Sequence, residues 1–110
     1  MELKKNQLTI LKTSRPGMAA DLDAFLLDGE ARALSPCTLR FYTNEVGAFC
    51  DFLPGRSTGD VTPTDVRRFL TQLATHRGPG GVHAAFRAVR AFLRWYWREH
   101  DLEKGCPVNK

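Results

Sequence analysis

Apolar residues recur every three or four positions through most of this 110-residue sequence, and no segment alternates strictly between apolar and polar residues. This period matches an α-helix, in which residues three and four apart share one face, whereas a half-buried strand needs a period of two. Pro and Gly residues divide the pattern into four segments. The sequence therefore predicts one all-α domain, an orthogonal or antiparallel bundle of four to five helices.

Capping residues mark where two of the helices begin. In the second segment Ser35 is a good N-cap and Pro36 suits the first helical position, where a missing amide proton costs nothing. In the third segment Thr62 and Asp65 have the spacing of a capping box, with Pro63 at the first helical position. The predicted segments are residues 18–33, the stretch between Ser35 and Pro54, the stretch that starts at Thr62, and residues 78–100.

The sequence also predicts a domain with short flanks. Residues 1–17 form a basic N-terminal arm closed by Pro16-Gly17, the helical segments fill residues 18–108, and residues 109–110 begin a linker. The arm lacks the apolar region and small-residue cleavage site of a signal peptide. No apolar run approaches the roughly 20 residues of a membrane span. We therefore expect a cytoplasmic protein that does not associate with membranes.

Metal binding and catalysis have no local signature. The three cysteines, Cys37, Cys50 and Cys106, are odd in number and lack the paired spacing of zinc ligands. The sequence has no glycine-rich phosphate loop of the known types and no motif around a Ser, Cys or Thr nucleophile. We expect no metal, no cofactor, no small-molecule substrate and no independent enzymatic activity.

The fourth segment carries the net charge of the chain. The formal charge is +4, and the four arginines between Val82 and Arg98 account for all of it, because the other charges balance. On a helical wheel these arginines and His83 share one face, beside an apolar seam. The arginine stripe is Arg87, Arg90, Arg94 and Arg98, and the seam is Val82, Phe86, Val89, Leu93 and Tyr96.

The arginine stripe differs from an ordinary solvated helix face. Such faces usually interleave glutamates with basic residues and gain favourable pairs four residues apart, and this stripe has no acid. Arginine also binds phosphates bidentately and stacks on bases, whereas lysine would suffice for solubility. The stripe therefore favours a polyanionic partner, double-stranded DNA, over a face that is merely solvated.

The starts of two helices provide further phosphate-binding chemistry. Free backbone amides over residues 80–83, which include Gly81 and His83, are expected at the positive end of the fourth helix dipole. Ser35, Thr38 and Arg40 offer the same chemistry at the start of the second helix, and its polar face continues with Asn44. Capping alone is the simpler role for Ser35.

Two other functions are consistent with the sequence. Trp95 lies outside both the seam and the stripe on the wheel, so we expect it to be exposed. Exposed Trp95 and Trp97 would then anchor a partner of a helical protein-interaction module. A membrane-surface helix is the third hypothesis, and it is disfavoured because Phe86, Val89 and Leu93 are needed to cover a small core.

Four stretches, in order, resemble the core-binding, SAM-like domain of tyrosine recombinases, the phage-integrase family. They are LSPCTLRFYTNEVGAFCDFL, DVTPTDVRRFLTQL, FRAVRAFLRWYWRE and CPVNK. The likeness covers about residues 18–108 and rests on the ordered set, because none of the four is diagnostic alone. It implies a SAM-like four-helix bundle that forms half of a clamp around duplex DNA, with the second and fourth helices toward the major groove.

The resemblance also implies partners and residue roles. In this family a separate C-terminal domain holds the catalytic residues, so this chain is expected to work with that domain and with sister recombinase subunits. Thr38, Arg40 and Arg90 match positions of the family pattern. His83, Ala84 and Ala85 stand where family members often place Arg and other polar residues, so Arg87 becomes the best candidate for a base edge.

The expected DNA-binding residues come from both arguments, the helical wheel and the resemblance. Neither tyrosine is expected to be a nucleophile, because Tyr42 and Tyr96 fall on apolar helix faces. The DNA-binding residues are Ser35, Thr38, Arg40, Asn44, Gly81, His83, Arg87, Arg90 and Arg94.

Overall fold

The computed structural model describes residues 17–100 and 106–108, and within them it is all-helical. This confirms the predicted all-α bundle. Most of the predicted arm (residues 1–16) and the predicted linker residues 109–110 lie outside the described residues. The elements are α1 (Met18–Ala31), α2 (Pro36–Phe52), a short 3-10 helix η1 (Thr58–Asp60), α3 (Pro63–Leu73) and α4 (Pro79–Glu99).

Helices α2 and α3 begin where the capping residues predicted. The Thr38 amide donates to the Ser35 hydroxyl oxygen at 3.1 Å, which satisfies one of the free amides of the first turn. At α3 the capping box is complete: the Thr62 amide donates to the Asp65 carboxylate at 2.9 Å, and the Asp65 amide donates to Thr62 Oγ1 at 3.2 Å. Both helix starts are thus set by local sequence.

Helix α1 ends two residues earlier than the sequence predicted. Ala33 has a φ of 62°, in the left-handed region, and this conformation stops the helix. Its amide donates to the Glu30 carbonyl at 2.9 Å, and the Leu34 amide donates to the Gly29 carbonyl at 3.0 Å. This pair of bonds is a Schellman motif that satisfies the last carbonyls of α1 with an alanine where glycine is usual.

Helix α4 is the central element of the bundle and packs against α1, α2, α3 and η1. From α1, Phe25 reaches Phe92 and Trp95 of α4, with ring centroids 5.5 and 5.4 Å apart. On the other side of the core, Phe49 of α2 lies edge-on to Phe69 of α3 at 5.1 Å. These edge-on and tilted rings are favoured aromatic geometries and fill the space between the helices.

The burial of both tryptophans contradicts the expectation of exposed rings. Trp95 is only 8% exposed and Trp97 only 5% exposed. The predicted seam assumed one narrow apolar stripe, but α4 is covered by neighbours on several sides, so its buried arc also includes Ala85, Ala88 and Phe92. Trp95 follows Phe92 by three residues, so it lies on the same buried side of α4 as Ala85, Ala88 and Phe92.

Two side-chain contacts hold the connection between α2 and α3 in place. Arg56 Nη1 donates to Asp65 Oδ2 at 2.5 Å, and the Thr58 hydroxyl donates to Asp21 Oδ2 of α1 at 2.6 Å. Burial by itself raises the pKa of Asp65, but hydrogen bonds with Thr62 and the charge and hydrogen bond of Arg56 outweigh it, so the pKa lies below its usual value. Asp65 is therefore an ionised cap that also anchors the connection.

Candidate nucleic-acid interface

Helix α4 has a buried face and an exposed basic face. Val89 and Leu93 are fully buried, whereas all four arginines of the stripe and His83 are exposed. Within residues 17–100 and 106–108, the three ion pairs involve other arginines, so no carboxylate neutralises the stripe. The guanidinium groups of the stripe are therefore accessible to an anionic binding partner. The exposure of the stripe is as predicted, but of the predicted seam only Val89 and Leu93 are buried, whereas Val82, Phe86 and Tyr96 are half-buried.

Helix α2 places polar groups at its start and along its exposed face. The Ser35 hydroxyl accepts from the Thr38 amide and donates to Thr38 Oγ1 at 3.0 Å, so both of its hydrogen-bonding roles are used within the cap. The Thr38 hydroxyl accepts from Ser35 and keeps its own proton as a donor. Arg40 and Asn44 are exposed one turn apart. Thr38, not Ser35, is therefore the hydroxyl suited to donate to a phosphate.

A cation–π contact joins the two helices at this face. The guanidinium carbon of Arg87 lies 6.0 Å from the centroid of the Phe41 ring, which is half-buried on α2. A guanidinium over an aromatic face is attracted by the ring quadrupole and loses freedom to swing. Arg87 is thus the member of the stripe held at the boundary between α2 and α4.

A second contact fixes the first turn of α4 against α2, and sequence reasoning missed it. Arg77 Nη1 donates to Glu45 Oε1 at 2.8 Å and to the Gly81 carbonyl at 3.5 Å. The ion pair is partly shielded, with side chains 30% and 17% exposed. The available signal was Glu45 itself, an acid four residues from Phe41 and Phe49, where a half-buried carboxylate needs a cation.

The start of α4 offers fewer free amides than predicted. Gly78 is the N-cap and makes no side-chain hydrogen bond to the helix, and Pro79 has no amide proton. The Val82 amide already donates to the Gly78 carbonyl at 3.1 Å. The expectation of free amides over residues 80–83 is therefore wrong for Val82 and for His83, which lies one residue further into the helix, and Gly80 and Gly81 supply the donors of this turn.

The candidate residues form an extended face and do not converge on one pocket. Phe41 lies opposite Arg87 and Glu45 lies opposite Gly81, so α2 and α4 run antiparallel. The candidates on α4 extend from Gly81 to Arg94, about 20 Å at 1.5 Å per residue. Such a length can follow several phosphates of a duplex, which carries one charge per about 1.7 Å of axis.

The two tyrosines pack against the hydrophobic core. Tyr42 and Tyr96 are both half-buried, as predicted for apolar faces. Burial, with the nearby carboxylates of Asp21 and Asp60, raises the pKa of Tyr96, so its phenol stays protonated at neutral pH.

In the part of the chain that the structure describes, no three His, Cys, Asp or Glu side chains group as metal ligands. No helix of that part has the length and apolar character needed to cross a membrane.

The fold and this face together define a small all-helical domain with an exposed basic face on α4 and polar side chains on the neighbouring, antiparallel α2. Residues 22–101 match the family model described as phage integrase, N-terminal SAM-like domain. The match covers well over half of the chain, so the chain belongs to this family, as its motifs predicted. The chain matches no curated protein and no solved structure.

Proposed function

We propose that this domain binds duplex DNA as the clamping N-terminal part of a site-specific tyrosine recombinase or integrase. The observation that carries the proposal is the exposed arginine stripe of α4, which no carboxylate of the described residues neutralises. Unpaired arginines repel each other and reduce stability unless a partner brings negative charge. Phosphates supply that charge in the bidentate geometry that guanidinium groups favour.

The candidate residues divide into those that position the domain and one that reads sequence. Contacts to phosphate set register and orientation, whereas contacts to base edges specify the site. On α2, Thr38, Arg40 and Asn44 contact the phosphates of one stretch of the DNA backbone. Ser35 contributes indirectly, because its hydroxyl holds Thr38 through the N-cap hydrogen bonds. On α4 the phosphate contacts belong to the Gly81 amide, His83, Arg90 and Arg94.

Arg87 is the candidate for a base edge. Its cation–π contact with Phe41 holds the guanidinium between the two helices that line the proposed interface. An arginine with restricted motion loses less entropy when it forms the bidentate hydrogen bonds that recognise guanine in the major groove.

Family membership supports the choice of partners. Strand cutting and joining are assigned to a separate catalytic domain and not to this one. That domain and sister recombinase subunits are the protein partners of the proposal. Work on DNA in such a recombinase also implies a cytoplasmic location.

The two rival functions have lost their physical support. The interaction module required exposed Trp95 and Trp97, and both rings lie in the core. The membrane-surface helix required a free apolar face on α4, but Val89 and Leu93 are fully buried there. The arginine stripe is the charged feature of α4 that remains available to a partner.

Two double variants with the same loss of charge test the proposal. Arg90→Ala with Arg94→Ala shortens the stripe, and Arg67→Ala with Arg68→Ala removes two exposed arginines from α3. Binding to a fluorescent duplex of random sequence is measured by anisotropy at one low salt concentration. We expect the α4 variant to bind at least about tenfold more weakly and the α3 variant within about threefold of wild type.

Thermal unfolding provides the matched stability control. Both variants should melt within a few degrees of wild type, because all four side chains are exposed. Equal losses of affinity in the two variants would mean that only net charge matters and would contradict a DNA-binding face on α4.

A further inference from the structure

The outer face of helix α1 carries an apolar stripe. Its exposed apolar residues recur every three or four positions, so they lie in one row along the helix. Leu27 is 65% exposed, and among the described residues it is the large hydrophobic side chain with such exposure. The other members of the stripe are Ala20, Ala24 and Ala31. The opposite face of α1 buries Met18, Leu22 and Phe25 in the core.

An apolar outer face of this kind indicates a docking surface. A surface helix of a soluble domain normally turns an apolar face to the core and a polar face to water, and a helix that is apolar on all sides is normally covered. Helices α3 and α4 follow the usual pattern, because their exposed faces carry arginines. On α1, Leu27 lines a surface depression of about 430 Å³ together with Ala24 and Leu26, which leaves room for further apolar side chains.

The charges beside the α1 stripe are negative. Asp23 and Glu30 line the same depression as Leu27. Over its whole length α1 carries four acidic residues and no lysine or arginine. Asp28 already pairs with Arg32, just beyond the end of the helix, at 2.9 Å. A segment that fits this surface therefore combines apolar side chains with positive charge.

The predicted N-terminal arm, which precedes α1 in the sequence, has this composition. Leu8, Ile10 and Leu11 fall within four positions and are followed directly by Lys12. The arm as a whole carries four basic residues and one acid. Its apolar residues match the α1 stripe, and its net positive charge matches the acids beside the stripe.

The arm is long enough to return along the helix that it precedes. Leu27 lies ten residues beyond the N-cap Gly17, about 15 Å along the axis at 1.5 Å per residue. Ile10 lies seven residues before Gly17, and seven extended residues span up to about 23 Å at 3.3 Å each. We propose that residues 8–12 dock on the outer face of α1 of the same molecule, over Leu27 and beside Glu30.

Docking within one chain needs little intrinsic affinity. A short tether gives the arm an effective concentration in the millimolar range. Burial of one leucine side chain changes an association constant by about 10- to 100-fold. The docked arm is therefore expected to be the larger population, in exchange with the free arm. The contact needs no DNA, so its test is independent of the proposed function.

Nuclear Overhauser cross-peaks between methyl groups test the contact, because Ile10 is the one isoleucine of the sequence and gives an unambiguous signal. In the 110-residue chain labelled at Ile, Leu, Val and Ala methyl groups, we expect cross-peaks from Ile10 to Leu27 and to Ala24. Leu27→Asp should abolish the cross-peak to Ala24 as well, since the apolar stripe loses its largest member. Glu30→Lys should weaken both cross-peaks about two- to fivefold, the effect of one exposed ion pair.

The matched control places the same charged side chain in a different apolar depression. Ala74 is exposed and lines an open groove of about 640 Å³ between α3 and α4. Ala74→Asp should leave both Ile10 cross-peaks unchanged. A mixture of chains labelled only at isoleucine with chains labelled only at leucine and alanine should show neither cross-peak, because the contact lies within one chain.

Four results would overturn the proposal. Ile10 could show no cross-peak to α1 in the wild type. Its cross-peaks could instead lead to Leu70 and Val82, which line the groove between α3 and α4. The cross-peaks to α1 could arise in the mixture, which would assign the surface to a second copy. Glu30→Lys could leave them at full intensity. Amide spectra identify any variant that fails to fold, and Leu27→Ser or Ala74→Ser then replaces it with the same expectation.

Discussion

Arg87 on α4 and Phe41 on α2 face each other across the proposed DNA-binding surface, with the guanidinium carbon 6.0 Å from the ring centroid. The two helices are adjacent in space but distant in sequence. The contact therefore means that the position of an arginine in the stripe depends on an aromatic residue of α2. It also makes Phe41 part of the proposed DNA-binding surface without requiring it to touch DNA.

Removing the Phe41 ring should weaken DNA binding while keeping the fold. Phe41→Leu keeps an apolar side chain of similar size but loses the ring quadrupole, worth about 0.5–1 kcal/mol at a partly exposed site. We expect affinity for duplex DNA to fall about two- to fivefold and Phe41→Tyr to restore it. In an Arg87→Ala background Phe41→Leu should not reduce the affinity for DNA any further. A loss of affinity as large as in the wild-type background would show that Phe41 does not act through Arg87.

Breaking the Arg77–Glu45 ion pair should destabilise the domain. Arg77→Ala leaves a shielded carboxylate without its cation and releases the first turn of α4 from α2, so we expect a loss of about 1–3 kcal/mol in urea unfolding. Arg32→Ala breaks the exposed Asp28–Arg32 pair, whose atoms lie 2.9 Å apart, and should cost less than about 0.5 kcal/mol. Similar losses of stability in both variants would contradict the role of Arg77 in holding the first turn of α4 against α2.

Two Gly→Ala substitutions should shift stability in opposite directions. Gly17 has a φ of 58°, and a Cβ there would lie 2.8 Å from the Arg56 carbonyl oxygen. Gly17→Ala should therefore destabilise the domain by about 1–3 kcal/mol. Gly47 lies within α2 and a Cβ there meets nothing within 4 Å, so Gly47→Ala should stabilise by about 0.5–1 kcal/mol. Thermal unfolding of the two variants shows whether Gly17→Ala lowers the melting temperature and Gly47→Ala raises it.

Asp65 should make part of the stability depend on pH. Its pKa is lowered in the folded protein, so the contribution is complete above the usual carboxyl range and is lost as the pH falls through the folded-state pKa. Asp65→Ala, which also removes half of the capping box, should cost about 1–2 kcal/mol at pH 7. The difference from wild type should shrink from about pH 5 downward. A difference that stays constant to pH 3 would contradict an ionised cap.

Local sequence determined much of what could be predicted. The caps at Ser35 and Thr62 act through residues three positions apart, so no knowledge of the fold was needed to place them. The basic face of α4 was equally visible, because helical periodicity alone brings its arginines together. The family likeness was recognisable from the same local patterns.

The remaining features depend on contacts between distant segments. Trp95 is buried because α1 places Phe25 against it, with the two ring centroids 5.4 Å apart. A helical wheel of α4 alone does not show this contact, because it contains no residue of another helix. Glu45 lies 32 residues from Arg77, and only the antiparallel packing of α2 and α4 brings the two side chains together. The early end of α1, at Ala31, was missed because the alanine at position 33 gives no sign of its left-handed conformation.

The salt dependence of DNA binding tests the central claim most directly. If the basic groups of the proposed interface, Arg90 and Arg94 among them, together neutralise about four phosphates, log K should fall with log salt concentration with a slope of about −3.6. Shortening the stripe with Arg90→Ala and Arg94→Ala should bring the slope to about −1.8 by the same relation. A wild-type affinity that does not change between low and moderate salt, or a slope that the double variant leaves unaltered, would contradict an arginine face that binds the DNA backbone.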